Sequence, residues 1–317
     1  MRLLIIFKIV TILVLYIATA SASNTMSNTE DRFLTKEESK KYLRKKPLTQ
    51  KVENREKYQS IYTLGVIVVL ILLSIVTILK YKNRKRANNF IKTDIHSHLL
   101  PALDDGSQST KESITLIRRL KALGYTKIIT TPHIMSHRFP NSSQTIKESL
   151  KTLKQELKKE KIDIELEVAS EYYFDDHFIE LLEKKDILTF GDGYLLFELP
   201  RREVPKNLFE GIELMLRQGY KPVLAHPERY NYFHDNFMIY KRLKSIGVFF
   251  QLNLISLVGF YTDEVKEVGQ KLVKSGLIDF LGSDAHKAMY LDALEEVFKS
   301  QDFKDIFEKN AILNERL

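Results

Sequence analysis

From about residue 92 to residue 299 the chain alternates short apolar runs with amphipathic stretches, seven times over. The apolar runs fall at about 92–96, 127–131, 164–170, 194–199, 222–226, 248–253 and 279–283. Each has the length of a β-strand and lies between turn-forming residues. The stretches between and after them, near 110–123, 143–160, 175–185, 204–218, 236–246, 262–276 and 288–299, repeat their apolar residues at helical spacing. Ser109-Thr110 followed by Glu112, and Thr262-Asp263-Glu264, are start signals, while Gly124, Gly219, Gly247 and Gly276 stand where a helix must stop before the next strand. Strict strand–helix alternation forces parallel strands joined by crossover helices. The expected class is therefore α/β, and seven units predict a closed or nearly closed seven-stranded barrel, with an open sheet as the alternative. A domain of that length buries a full core without disulfides.

The first ninety residues obey different rules. Residues 3–19 are apolar apart from Lys8, follow Arg2 and lead into Ala20-Ser21-Ala22, so 1–23 reads as a signal peptide or first membrane anchor. Residues 24–60 form a charged linker with no apolar face. Residues 61–79 carry no charge over nineteen positions, the length of a transmembrane helix. Lys80, Lys82, Arg84, Lys85 and Arg86 make 80–91 a basic juxtamembrane segment of cytoplasmic type. The expectation is a single-pass or two-pass membrane protein with residues 92–317 as a cytoplasmic domain. The basic linker works against that orientation, and a start at Met26 would remove the first of its signals.

Charge follows the same division. The net formal charge is +8, but residues 1–91 carry +11 and residues 92–317 carry −3. The basic surplus beside the hydrophobic segments suits anionic lipid headgroups, and the mildly acidic domain argues against nucleic acid as a partner. There is no cysteine, which excludes disulfides, thiolate metal ligands and a phosphocysteine intermediate.

The polar outliers sit where strands end: His96 and His98, His133, Glu171, Glu198, His226 through Arg229, and Asp284 with His286. Parallel strands present these ends at one rim. A lone histidine there is usually a hydrogen-bonded rim residue, and a lone acid usually caps a helix, the reading preferred for Asp104 and for Glu198 taken singly. Spacing changes the balance. His96 and His98, two apart on a strand, share a face and can meet one ion. Asp284 and His286 repeat the spacing at the far end. Imidazoles and carboxylates converging from several strands hold transition-metal ions. His137, His177 and His234 lack this context and read as surface residues.

At these residues the chain resembles the PHP superfamily, named for polymerase and histidinol phosphatase. Within it, the chain is similar to the bacterial tyrosine-protein phosphatases of capsule and exopolysaccharide biosynthesis. The motifs are Asp94-Ile-His-Ser-His98, Leu100-Pro-Ala-Leu-Asp-Asp-Gly-Ser107, Thr131-Pro-His133, His226-Pro-Glu-Arg229 and Ser283-Asp-Ala-His286, in this order across about 92–290. The resemblance implies a distorted seven-stranded (β/α)7 PHP-type barrel holding two or three divalent ions, with manganese the expected metal. It assigns His96, His98, Glu171 and Asp284 to a first ion, Glu171 and His226 to a second, and Asp105, His133 and His286 to a third. Arg229 would hold the substrate phosphate, Asp105 would also serve catalysis, and Glu198 would complete the second site. A further basic residue is expected soon after Asp284-Ala-His286, yet Lys287-Ala-Met-Tyr-Leu291 holds only Lys287, a point charge without an arginine's planar fork.

The function so implied is metal-dependent hydrolysis of phosphotyrosine, on a membrane tyrosine kinase that controls polysaccharide synthesis or export. The alternatives are a phosphatase for a small, histidinol-phosphate-like ester, a nuclease, and an inactive membrane-anchored binding module. The oligomeric state is left open.

Overall fold

The computed structural model describes residue 59 and residues 61–75 and 91–317. The chain divides into two compact units, Met1–Ala87 and Asn88–Leu317. In the first, residues 61–75 are helical, with mostly exposed apolar side chains. The hydroxyls of Thr63 and Ser74 donate to the carbonyls of Gln59 and Leu70, both at 2.8 Å, so neither needs an outside partner. Among the described residues no helix is long and apolar enough to cross a membrane. The expected spanning helix at 61–79 is thus not borne out by them. Its residues 76–79 lie outside the described residues, as do the signal or anchor at 1–23, Met26, the linker apart from residue 59, and the juxtamembrane segment up to residue 90.

The second unit is built on parallel strand segments: β1 (Thr93–Asp94), β2 (Lys127–Thr130), β3 (His133–Ile134), β4 (Glu165–Val168), β5 (Glu171–Tyr173), β6 (Tyr194–Glu198), β7 (Lys221–Ala225), β8 (Phe249–Asn253) and β9 (Phe280–Gly282). Around them lie α1 (Thr110–Ala122), α2 (Ser143–Lys159), α3 (Asp176–Lys184), α4 (Leu208–Arg217), α5 (Met238–Ser245), α6 (Asp263–Lys274), α7 (Ala288–Lys299) and α8 (Gln301–Lys309). The start signals act as read: Ser109 Oγ accepts from the Glu112 amide and Thr262 Oγ1 from that of Val265. Gly124 and Gly247 end α1 and α5 at φ of +102° and +98°, which glycine adopts at little cost.

All seven expected strand positions are occupied, but they do not make one barrel. The second strand breaks at Thr131-Pro132 and the third at Ala169-Ser170. Two sheets result, ordered β1-β2-β4 and β3-β5-β6-β7-β8-β9. Pro132 has no amide hydrogen to continue a ladder, which accounts for the first break. The closed barrel expected from the alternation is corrected to a parallel sheet curled into a half-barrel. Its inner face carries Ile95, Ile129, Ala169, Leu196, Val223 and Phe280, all buried. Residues two apart share a strand face, so the register that buries Leu196 places Glu198 at the rim.

The first and last strands meet without a continuous ladder. Near the rim, the Asp284 amide donates to the His96 carbonyl (2.8 Å) and the His98 amide to that of Ala285 (3.0 Å). Lower down, one side chain replaces a peptide. The buried Asn314 accepts from the Leu281 amide (2.9 Å) and donates to the carbonyls of Leu281 (2.7 Å) and Thr93 (2.9 Å). Glu315 then accepts from the Lys92 amide at 2.7 Å. Nothing in the sequence after residue 299 announced this seam.

Asn314→Ala leaves three buried backbone groups without a partner, at a cost on the order of 3 kcal/mol. Thermal unfolding of the 88–317 unit is expected to show a Tm lower by roughly 6–12 °C. A Tm close to that of the unaltered unit would show that the seam does not depend on this amide.

Candidate active site

The carboxyl ends of the strands supply the site. His96 and His98 follow β1, Glu198 ends β6, His226 follows β7, and Asp284 and His286 follow β9. The strand breaks supply the rest. His133 opens β3 and Glu171 opens β5, and the two are direct partners in the parallel register. His226 and Asp284 hold positive φ values of +34° and +51°, a conformation that costs non-glycine residues energy and concentrates at functional sites. Gly282 lies beneath them. A Cβ there would fall 2.6 Å from His96 Cβ and 2.7 Å from Gln251 Nε2, so no side chain fits.

Glu171 stands at the centre. Its Oε2 lies 3.1 Å from His96 Nε2, 3.2 Å from His133 Nδ1 and 3.4 Å from His98 Nε2, and its Oε1 lies 2.9 Å from His226 Nε2. Asp284 Oδ1 lies 3.4 Å from His96 Nε2, 3.5 Å from His98 Nε2 and 3.5 Å from His286 Nδ1. Glu198, doubtful from sequence, is buried in the cluster with Oε1 3.2 Å from His133 Nδ1. Asp105 sits further out. Its carboxylate is 3.5 Å from His286 Nε2 and 3.7 Å from His133 Nε2, and its buried Oδ1 has no hydrogen-bond partner. The eight side chains expected as ligands thus lie together, and Glu198 joins them as a ninth.

In three of the rings a partner on the far side fixes the tautomer. His96 Nδ1 donates to Gln251 Oε1 (2.8 Å), His98 Nδ1 to Asp104 Oδ2 (2.7 Å) and His286 Nδ1 to the Asp284 carbonyl (2.8 Å). Their Nε2 lone pairs are left for a cation. His96 Nε2 and His98 Nε2 lie only 3.3 Å apart beside two carboxylates. Burial alone would lower the His96 pKa, but Glu171 and Asp284 outweigh it and raise it to about 9. For His98, Asp104 likewise overcomes burial and holds the pKa well above the usual value. Burial opposes ionisation of Glu171 and Asp284 too, yet His96 and its neighbours hold both carboxyls well below the usual range. His226 goes the other way: burial, then Arg229, lowers it to about 4.

Four sets have donor atoms within 4.8 Å of one another: His96–His98–Asp284, His96–Glu171–His226, His133–Glu171–Glu198 and His98–His133–His286. The first overlaps the grouping expected for one ion but lacks Glu171, and the second holds the expected Glu171 and His226 together with His96. The set expected for a third ion recurs with His98 in place of Asp105. A buried nitrogen and oxygen donor set without sulfur fits a borderline or hard divalent cation.

Several supporting residues escaped the sequence reading. Asp104, read as a helix cap, is buried. It accepts from His98, from the Gly106 amide (2.9 Å) and from the His133 amide (3.0 Å). Asp284 Oδ2 accepts from Arg229 Nη1 (2.9 Å), Asn253 Nδ2 (2.6 Å) and Tyr261 OH (3.1 Å), which leaves Oδ1 to face the histidines. Arg229 also stacks on the Tyr261 ring at 4.1 Å, and its buried Nε has no partner. Gln251 and Asn253, two apart in an otherwise apolar strand, were a signal that could have been read. Tyr261 had none. Of the three histidines assigned to the surface, His137 is exposed and lines the cavity mouth, and His177 lies 3.9 Å from Glu180 on α3. His234 departs from that reading: it is half-buried and its Nε2 donates to the Glu228 carbonyl at 2.8 Å. Lys287 is exposed at the cavity mouth.

A proton and a metal ion compete for His96 Nε2. Because its pKa is raised to about 9, lowering the pH from 9 to 6 fills the site with protons and weakens metal binding. Calorimetric titration is expected to show affinity falling with acid and protons released on binding. Asp104→Asn, which removes the carboxylate behind His98, is expected to weaken affinity about 10–100-fold at fixed pH. An affinity independent of pH and unchanged in Asp104→Asn would rule out these imidazoles as ligands.

Residues 92–297 match the family model described as Capsular polysaccharide synthesis, CpsB/CapC. CapC of Staphylococcus aureus is 31% identical over 221 residues, spanning 68% of this chain and 86% of that one. The tyrosine-protein phosphatase YwqE of Bacillus subtilis (strain 168) is 34% identical over 197 residues, spanning 61% of this chain and 76% of that one. A solved structure from the work on YwqE from Bacillus subtilis and CpsB from Streptococcus pneumoniae, unique metal-dependent tyrosine phosphatases, superposes with a TM-score of 0.59 at 29% identity, covering 69% of this chain and 96% of that one. With the half-barrel, the ordered motifs and the histidine–carboxylate cluster in place, the chain belongs to the CpsB/CapC family of capsular polysaccharide synthesis.

Proposed function

We propose that this chain is a metal-dependent protein-tyrosine phosphatase acting on a membrane tyrosine kinase that regulates capsule or exopolysaccharide synthesis. The observation that carries the reading is the convergence of His96, His98, Glu171 and Asp284, with Oδ1 of Asp284 facing the rings and Oδ2 saturated by three donors. Its membership of a family that includes tyrosine-protein phosphatases supplies the reaction class. Two or three divalent ions, manganese by expectation, would be held by His96, His98, Asp105, His133, Glu171, Glu198, His226, Asp284 and His286. Bound there, they supply charge neutralisation at the phosphoryl oxygens and activate water at neutral pH.

The protein's own groups do the positioning. Arg229 is tied through Nη1 to Asp284, so its unpartnered Nε remains to donate to a phosphoryl oxygen. Asp105 is half-buried. Burial raises its pKa, but His286 and His133 outweigh that and lower it to about 2, so at neutral pH it is a carboxylate suited to binding a cation rather than giving up a proton. A tyrosine leaving group, with an unperturbed pKa of about 10, needs less protonation than an alkoxide. Without a cysteine, direct attack by water is the simplest route.

Manganese-loaded 88–317 is expected to hydrolyse a phosphotyrosine peptide faster than an alkyl phosphate, and to stop when chelated. His96→Ala is expected to lose activity by about 100-fold or more. Chelator-resistant turnover, or equal rates on the alkyl ester, would point to a different phosphoester chemistry.

The membrane assignment belongs to the same proposal. Residues 61–79 would span the bilayer, with the 92–317 domain cytoplasmic and the basic flank on anionic lipid. The uncharged run and the self-satisfied hydroxyls of Thr63 and Ser74 support it. Sharing a membrane raises the effective concentration of enzyme and kinase. Deleting 1–79 is expected to slow dephosphorylation of the membrane-embedded kinase while sparing aryl phosphates. Equal loss on both substrates would refute this arrangement.

A further inference from the structure

The acidic cluster forms the floor of a cavity of about 1050 Å3, and its mouth has the opposite character. Arg138, Arg201, Arg202 and Lys287 line the mouth, all four exposed, against one exposed acid, Glu203. Arg138 lies 3.4 Å from Asp105, but Arg201, Arg202 and Lys287 have no ion-pair partner among the described residues. Arg118, Arg119 and Arg217, also on the surface, each pair with a carboxylate. What marks the mouth is that four cations gather on one cavity of a domain whose net charge is −3.

The backbone leading into Arg201 and Arg202 is anchored. The Leu199 amide donates to Tyr230 OH at 2.9 Å, and Tyr232 OH donates to the Pro200 carbonyl at 2.8 Å. The loop that begins at Arg201 is thus rooted on two tyrosines, three residues past Glu198 in the floor, and is closed by Pro205. A cavity of this size holds more than one side chain. A phosphotyrosine reaching the floor would lay its peptide backbone across the mouth, where neighbouring side chains meet the arginines.

We propose that Arg201 and Arg202 form a subsite for acidic residues flanking the phosphotyrosine, so that the preferred substrate is an acidic phosphotyrosine segment. The guanidinium fork suits carboxylates, and charges at a rim select partners more than they add affinity. This proposal rests on the phosphatase reading and specifies its substrate class.

The test is steady-state kinetics of the full-length, manganese-loaded protein on p-nitrophenyl phosphate, on a phosphotyrosine peptide with neutral flanks, and on the same peptide with aspartates at the flanks. KM for the acidic peptide is expected about five- to twentyfold below that for the neutral one, with an advantage that shrinks as salt is raised. In the Arg201→Ala/Arg202→Ala double variant the advantage is expected to vanish, with kcat and p-nitrophenyl phosphate turnover unchanged. Arg201→Glu/Arg202→Glu is expected to reverse the preference, raising KM for the acidic peptide above that for the neutral one. Equal KM values for the two peptides in the unaltered protein, or equal loss on all three substrates in the alanine variant, would overturn the subsite. Absence of turnover on every substrate would refute the phosphatase reading instead. Fluorescence anisotropy of the same two labelled peptides then decides the subsite alone, since equal affinities would overturn it.

Discussion

Two buried carboxylates, Glu171 and Asp284, set the terms for the rest of this structure. Each is about 1% exposed, and a charge buried so deeply is costly unless it is paired. The fold answers by bringing imidazoles to them from several strands. The site and the scaffold therefore cannot be separated: removing the rings leaves uncompensated charge, and removing the carboxylates leaves imidazole lone pairs crowded 3.3 Å apart. The same tension gives the site its appetite for cations. It raises the His96 and His98 pKa values and depresses those of the two acids, a charge balance that protons or a divalent ion would complete.

The layer behind the cluster converts that tension into a defined geometry. Asp104 turns one lone pair of His98 outward while its other contacts hold the backbone at Gly106 and His133. Gln251 does the same for His96 and also accepts from the His226 amide, so one amide orients two strand ends. Three donors on Asp284 Oδ2 leave Oδ1 as the only oxygen free to face the rings. Such arrangements matter because a ligand must keep its direction as well as its distance.

How far this was legible in the sequence depends on the physical range of each feature. Strand positions, helix spans and the eight candidate ligands were legible because they follow from local period and from motifs carried on strand ends. Ser109 and Thr262 cap where their spacing said they would. Asp104 was misread because its partners, His98 and His133, are set by tertiary approach, while its local context looks like a cap. Tyr261 lies eight residues past β8 and touches Asp284 only through the fold. The seam at Asn314 was invisible for the same reason: an asparagine acting as a strand's missing peptide has no periodicity. The expected barrel is a half-barrel here: Pro132, without an amide hydrogen, interrupts the second strand, and the first and last strands meet without a ladder.

That break also helps to explain why this fold can hold the site. In an unbroken second and third strand, the pairing that runs from Lys127 opposite Glu165 to Thr130 opposite Val168 would continue along straight ladders. The interruptions let β3 and β5 restart in a new sheet with His133 directly beside Glu171. A second opening lies between the strand carrying His96 and the one carrying Asp284, and the two are rejoined by backbone bonds at the rim and by Asn314 below. Departures from regular barrel geometry thus lie beside the places where ligands must converge. The scaffold gives up ladder hydrogen bonds where side chains can replace them, and in exchange brings imidazoles and carboxylates from first and last strands within reach of common ions.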